Sequence, residues 1–291
     1  MQSIHDYTIS FHLRNNHPSF QLSFKSNNPF YQQSKIKKFL KIEKSNYYCM
    51  KDGKSYCAKV MDISDPEMRK IVRNEIMALK RVNGHKNIIN FIESFEMETE
   101  EGKKTSIEIF ELSQINLAKF IELKGGKLKE STAKKICKQI VTAMNHIHSK
   151  LVIHNDIKLE NIMIDLKTHK IKIIDFLSSD VLDHPNQLSS TSNGSLLYFA
   201  PEKCLKNNER SGYLSDVWSF GVLLYRMVVG RFPFNQLTAL GLIASILKDD
   251  LKFPSFCSPN FVSLIDSILQ KNPEKRIDLI SVSNHAWFSC K

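Results

Sequence analysis

The chain has 291 residues, 42% of them hydrophobic and 24% charged, and carries a formal net charge of +11. That is enough apolar material for one or two buried cores, no stretch approaches the roughly 18 uninterrupted apolar residues of a membrane span, and the polar first 28 residues lack an apolar signal core, so secretion is not expected. The six cysteines (Cys49, Cys57, Cys137, Cys204, Cys257 and Cys290) form no CxxC pair and have no histidine at zinc-ligand spacing, which argues against a disulfide framework or metal site and for a reducing, intracellular compartment, cytoplasm or nucleus.

Residues 1–34, rich in Asn, Ser, Gln and His, read as a polar extension ahead of a domain spanning 35–291. Residues 1–60 hold ten Lys or Arg against three Asp or Glu, with Lys35, Lys37, Lys38, Lys41 and Lys44 clustered. Such a cluster could attract nucleic acid. No aromatic residues interleave with it as on base-stacking surfaces, and we prefer a solvated edge strand whose lysines prevent sheet pairing. Strands are expected over Lys37–Glu43, Tyr47–Met50 and Ser55–Met61, with Asp52-Gly53 as the turn between the last two.

Asp65–Val82 reads as a helix, with Met68, Ile71, Val72, Ile76 and Leu79 at helical spacing. Glu75 falls on that apolar stripe, and a carboxylate on a buried face needs a partner; Lys59 in the preceding strand is the nearest candidate. After Asn116 the pattern turns helical. Ser131–Ser149 places Ile136, Ile140, Ala143 and Ile147 in register, two short apolar segments follow at Ile162–Ile164 and Lys170–Phe176, and Ser215–Val229 is apolar all round. Ser215 is expected to cap this last helix, with Gly230 just past its end. Strands with one helix, followed by mainly helices, suggest an α+β chain of two lobes with a cleft near residues 110–116.

Five polar residues stand out in fixed order: Lys59, Glu75, Asp156, Asn161 and Asp175. Each alone is weak, since a lone Asp in a loop is usually a turn residue. With their flanks they resemble the protein kinase family. Tyr56-Cys57-Ala58-Lys59 is similar to the strand bearing the nucleotide lysine, and His154-Asn155-Asp156-Ile157-Lys158-Leu159-Glu160-Asn161 to the catalytic loop. Asp175-Phe176-Leu177 resembles the magnesium motif, GSLLYFAPE from Gly194 to Glu202 the end of the activation segment, and Asp216-Val217-Trp218-Ser219-Phe220-Gly221 the central helix.

The resemblance, over about 36–290, implies an antiparallel N-terminal lobe (35–112) with one main helix and a larger helical C-terminal lobe (117–291). It implies transfer of the γ-phosphate of ATP, with magnesium or manganese, to serine or threonine hydroxyls of protein substrates. By the same resemblance Asp156 orients and deprotonates the acceptor hydroxyl and Lys158, in the serine/threonine pattern, neutralises the moving phosphate. Lys59 would hold phosphates with Glu75 orienting it; Cys57, Phe110, Glu111 and Met163 would line the nucleotide site; and Asn161 and Asp175 would meet the metal through oxygen. Leu79, Phe91, His154 and Phe176 would stack as an internal spine, His154 being a packed core histidine rather than an acid or base. Arg276 would pair with Glu202.

The sequence departs from the family at several places. No glycine occurs before Gly53, so the phosphate-covering turn, read as Leu40 to Tyr47, is glycine-free; the Cβ atoms there should crowd phosphate and lower ATP affinity. Leu177 replaces a motif glycine, with an expected strain of roughly 1 kcal/mol or more at positive φ. Asn155 stands where most relatives carry an arginine that receives an activation-loop phosphate, so activation is not expected to need one, and Ser189, Ser190, Thr191 and Ser192 read as plain polar loop. Asn116 stands where many relatives place an acidic residue at the ribose. These departures keep a pseudokinase scaffold as the alternative function. HNDIKLEN, GSLLYFAPEK and NHAWFS further resemble the very-late protein kinase of baculoviruses, a frame also shared with calcium/calmodulin-type kinases; within that subgroup very basic DNA-packaging proteins would be the substrates.

Overall fold

The computed structural model describes residues 40–43, 46–51, 54–98, 102–189, 193–205 and 212–289. The N-terminal extension with Lys35, Lys37 and Lys38, as well as Lys44, the Asp52-Gly53 turn, Ser190, Thr191, Ser192 and Cys290, lie outside them. The chain divides into two compact units, one of residues up to Ile76 together with Asn90–Ser113, the other of Met77–Ile89 together with Gln114 onward.

The first unit is built on five strands: β1 (Leu40–Glu43), β2 (Asn46–Lys51), β3 (Lys54–Asp62), β4 (Phe91–Glu98) and β5 (Lys104–Glu111). They form one antiparallel sheet in the order β1-β2-β3-β5-β4. β2 and β3 each run slightly past the apolar run that announces them, because ladder pairing extends to their flanking polar residues. Central strand β5 is buried from Thr105 to Phe110. Period-two alternation sorts its side chains. Ala58, Ile107 and Ile109 share one face with Cys49, against which Tyr47, Tyr56, Val60, Phe95 and Met97 pack. The other face carries the directly opposed pairs Cys57–Phe110 and Lys59–Glu108. Helix α1 (Pro66–Val82) follows, its last six residues grouping with the second unit. It starts one residue later than the apolar pattern suggests, because Asp65 is its cap: the Asp65 carboxylate accepts from the Met68 amide at 3.1 Å, with Pro66 at the first helical position.

The second unit contains β6 (Ile115–Asn116), α2 (Leu117–Leu123), α3 (Glu130–Ser149), β7 (Val152–Ile153), β8 (Ile162–Ile164), β9 (Ile171–Ile173), β10 (Asp180–Val181), α4 (Pro201–Cys204), α5 (Gly212–Val229), α6 (Ala239–Lys248), α7 (Pro259–Ile268), α8 (Leu279–Asn284) and α9 (Ala286–Ser289). β6, β8 and β9 make one small antiparallel sheet and β7 pairs with β10. In α3, Ile136, Ile140, Ala143 and Ile147 are fully buried, as their spacing requires. Helix α5 is buried around nearly its whole circumference. It begins at Gly212, a turn before Ser215, so Ser215 is no cap. Its hydroxyl donates to Glu202 at 3.1 Å from inside the helix. Gly230 follows the last residue with φ +86°, the left-handed geometry that ends helices on glycine.

Glu202 and Arg276 are buried and joined by two hydrogen bonds of 2.7 and 2.9 Å, the pairing that the motif resemblance implied. Arg276 also donates to the carbonyls of Leu214 and Gln270 and lies over the Trp218 ring, so α4, α5 and the loop after α7 meet on one guanidinium. No described helix is long and apolar enough to cross a membrane.

Candidate active site

In the first unit, Lys59 on β3 and Glu75 on α1 form a two-pronged ion pair, 2.7 and 2.8 Å from the ammonium to the two carboxylate oxygens. Glu75 is almost wholly buried, while the Lys59 side chain keeps 17% of its exposure. Cys57 and Phe110 stand opposite each other on β3 and β5, and Phe110 meets Phe91 edge-to-face at 5.8 Å. Burial pushes the Cys57 thiol above its ordinary pKa, an effect opposed by the Lys59 charge. The Glu111 carboxylate accepts from the Asn90 amide at 2.6 Å, closing the turn before β4. Glu43 and Asn46 are paired across the β1–β2 hairpin, with a bulge beside Glu43, so only Lys44 and Ser45 join the two strands and neither is glycine.

In the second unit the residues cluster around one carboxylate. Asp156 Oδ2 accepts from Lys158 Nζ at 2.5 Å and from Asn161 Nδ2 at 2.9 Å, and Asp156 Oδ1 accepts from the Ser195 hydroxyl at 2.9 Å. Lys158 also donates to Ser195 Oγ at 2.9 Å. The loop before β8 brings Lys158 and Asn161 back over Asp156: a 3₁₀ turn over Leu159–Asn161 buries Leu159, and Asn161 Nδ2 also binds the Asp156 carbonyl. His154 is fully buried against Phe176, with ring centroids 4.7 Å apart. Its Nδ1 accepts from the Asp156 amide, so Nε2 carries the proton and donates to the Ile174 carbonyl at 3.1 Å. That is the packed histidine expected from the sequence. Asp216 on α5 accepts the amides of His154 and Asn155 at 2.9 and 2.8 Å and bonds His148. Burial would raise its pKa, but the hydrogen bond and charge of His148 hold it below the usual carboxylate range.

Asp175 lies two residues after β9, half-buried, and the Ile174 amide beside it bonds the Asn161 carbonyl at 3.0 Å. The left-handed backbone in this motif falls at Asp175 (φ +65°), and Leu177 has no positive φ. The strain expected at Leu177 is therefore absent; the bend is carried two residues earlier by an aspartate, which tolerates it better than a leucine. Met163, half-buried on β8, stands between Asn116 on β6 and Lys172 on β9. Asn116 caps α2, accepting the Lys119 amide at 2.9 Å. Thus the structure joins Lys59 with Glu75, and Asp156 with Lys158 and Asn161. Ser195 is the member of the cluster that residue-by-residue reading overlooked, although the string GSLLYFAPE contained it. Gly194 before it has φ +118°, and a Cβ there would lie 2.5 Å from the Asn155 carbonyl. Only glycine lets the segment come this close to the loop bearing Asp156.

The first unit thus holds a buried lysine–glutamate pair on an antiparallel sheet, and the mainly helical second unit a carboxylate–lysine–asparagine cluster. The family model for the protein kinase domain matches residues 34–288, and the chain belongs to that family. It is 36% identical over 222 residues to CBL-interacting protein kinase 1 of rice, covering 75% of this chain and 46% of that protein. It is 33% identical over 245 residues to CBL-interacting serine/threonine-protein kinase 1 of Arabidopsis thaliana (81% and 52%), and 41% over 162 residues to protein kinase kin1 of fission yeast (56% and 18%). The chain thus spans about half, or less, of the length of these relatives. All three come from plants and a yeast; the narrower viral resemblance rests on the motif strings alone.

Proposed function

We propose that the chain transfers the γ-phosphate of ATP to serine or threonine hydroxyls of protein substrates, with residues 35–291 as the catalytic domain and 1–34 as an extension to it. The observation that carries this reading is the Asp156 cluster. A carboxylate there already accepts an alcohol hydroxyl, that of Ser195, while the Lys158 ammonium lies within hydrogen-bond distance of both. An acceptor hydroxyl taking the same relation to Asp156 would be oriented for attack and would lose its proton to that carboxylate as its bond to the γ-phosphorus forms and the bond from that phosphorus to the β,γ-bridging oxygen breaks, ADP leaving. Lys158 then faces the phosphoryl oxygens and offsets their charge. Lys59, fixed by Glu75, meets the other phosphates of the nucleotide; its rigid two-pronged pairing removes the rotamer freedom that binding would otherwise have to freeze. Cys57 and Phe110, opposed on β3 and β5, supply apolar surface for the base, and the Glu111 backbone next to them supplies polar groups.

The donor set fits magnesium. Asn161 turns its amide nitrogen onto Asp156, which leaves its Oδ1 as the atom able to meet a cation, and Asp175 offers carboxylate oxygen, so both are hard donors. Bound magnesium neutralises phosphate charge; manganese suits the same oxygens.

The test is single-turnover transfer from γ-labelled ATP with magnesium or manganese, wild type beside Asp156→Asn, against mixed basic and acidic proteins. Transfer that falls by about 100-fold or more in the variant supports the reading, the scale being that of a lost general base. The glycine-free β1–β2 hairpin favours a second reading, a scaffold that binds nucleotide without turnover. A thermal shift with ATP, and no transfer by either protein, would establish it instead.

A further inference from the structure

The strongest unused feature lies next to the Asp156 cluster. Lys203, directly after Glu202 on α4, is a lysine with only 7% exposure. Its ammonium donates to Asn155 Oδ1 at 2.7 Å, to the Asn155 carbonyl at 3.5 Å and to the Asn193 carbonyl at 3.4 Å. An ammonium has three protons, so these oxygens match its capacity, and the Phe199 ring lies 5.7 Å below it. Asn155 passes the contact on: its Nδ2 donates to Asp180 Oδ2 at 3.0 Å, and that same carboxylate oxygen accepts from the buried Ser189 hydroxyl at 2.5 Å. The neutral amide of Asn155 thus sits with its oxygen toward a cation and its nitrogen toward an anion, which fixes its orientation. Asn155 itself has φ +64°, a conformation that needs such support.

Lys203 therefore grips both sides of the Asp156 cluster. Through Asn155 it holds the residue before Asp156. Through Asn193 it holds the segment that, two residues on, places Ser195 on Asp156 and Lys158. We propose that Lys203 is a positioning residue that docks the segment Asn193–Tyr198 onto the catalytic loop with a charge built into the chain, so that no phosphate on the segment is needed. The inference rests on the catalytic reading of Asp156 for its kinetic consequence, but its structural consequence can be read without any turnover.

The experiment uses the full chain, treated with phosphatase, as wild type, Lys203→Met and Lys203→Arg, with Asp180→Asn as a second variant should Lys203→Met not fold. Hydrogen–deuterium exchange of the 193–198 amides and steady-state kinetics are measured together. Lys203→Met is expected to raise exchange at 193–198 by tenfold or more and to lower kcat tenfold or more, with KM for ATP within twofold of wild type. Lys203→Arg recovers most of both, and Asp180→Asn gives the same direction with smaller size. Unchanged exchange in Lys203→Met, or loss of wild-type activity on phosphatase treatment, overturns the proposal. A wild type with no turnover would sink the catalytic reading, while the exchange result would still decide the role of Lys203.

Discussion

Replacing Arg276 by methionine tests the buried ion pair of the second unit. The guanidinium has no exposed side-chain surface and its partner Glu202 only 7%, so water cannot take over when the arginine is removed. Three other contacts go at once: the Leu214 and Gln270 carbonyls and the Trp218 face. Breaking one side of such a pair costs about 3–5 kcal/mol, chiefly from the carboxylate left buried. For a chain of this size that corresponds to a thermal midpoint lowered by roughly 6–20 °C. The pH dependence gives the sign. In the wild type, burial raises the Glu202 pKa but the hydrogen bonds and charge of Arg276 outweigh it and hold the pKa below the ordinary carboxylate value. Its contribution is therefore present above the unfolded pKa and lost as pH falls through the folded one. In Arg276→Met burial, the largest influence, is opposed only by the smaller hydrogen bonds from its own backbone amide and from Ser215, so the carboxyl should rise relative to wild type and the variant should be least impaired in acid. Scanning calorimetry at pH 7 and pH 5 reads both. A midpoint within 2 °C of wild type at pH 7, or a deficit that grows toward pH 5, would refute the reasoning. The pair Glu202→Gln with Arg276→Met should be milder than Arg276→Met alone, because no charge stays buried.

Other outcomes follow from single contacts. Ser195→Ala removes the hydroxyl held by Asp156 and Lys158 and should lower kcat about 10-fold or more with little change in the thermal midpoint; steady-state kinetics beside calorimetry separates the two. Gly194→Ala puts a Cβ 2.5 Å from the Asn155 carbonyl at a positive φ, and should cost more than 1 kcal/mol in chemical denaturation and abolish transfer. Leu177→Gly should not stabilise the chain, since Leu177 carries no left-handed strain; a loss of about 0.5–1 kcal/mol is expected from the freer unfolded state, and a gain would contradict the backbone assignment. Lys59→Met should leave Glu75 buried without its ammonium and cost both stability and nucleotide affinity, the latter read by isothermal titration with ATP.

The sequence by itself determined the family, the order of the elements and most of the candidate site. These depend on local signals: the 3.6 spacing that puts Glu75 on a buried stripe, the alternation that puts Lys59 on a strand, and loop strings whose polar residues have no local reason to recur together. It also determined the pairing of Glu202 with Arg276, through the motif it resembles. Tertiary structure alone decided what distant groups do to each other. Ser215 looked like a cap, because a serine before an apolar run usually is one; the helix begins earlier, and Ser215 turns inward to Glu202. Leu177 looked strained because a glycine position was inferred, and the φ of Asp175 shows where the bend sits. Asn116 and Asn155 looked like lost charges, yet one caps α2 and the other bridges Asp180 to Lys203. Ser195 and Lys203 come 39 and 47 residues after Asp156 and act on its loop only because Gly194 permits the approach. No pattern of spacing encodes that contact, since it depends on how buried charges find their partners once the chain has closed.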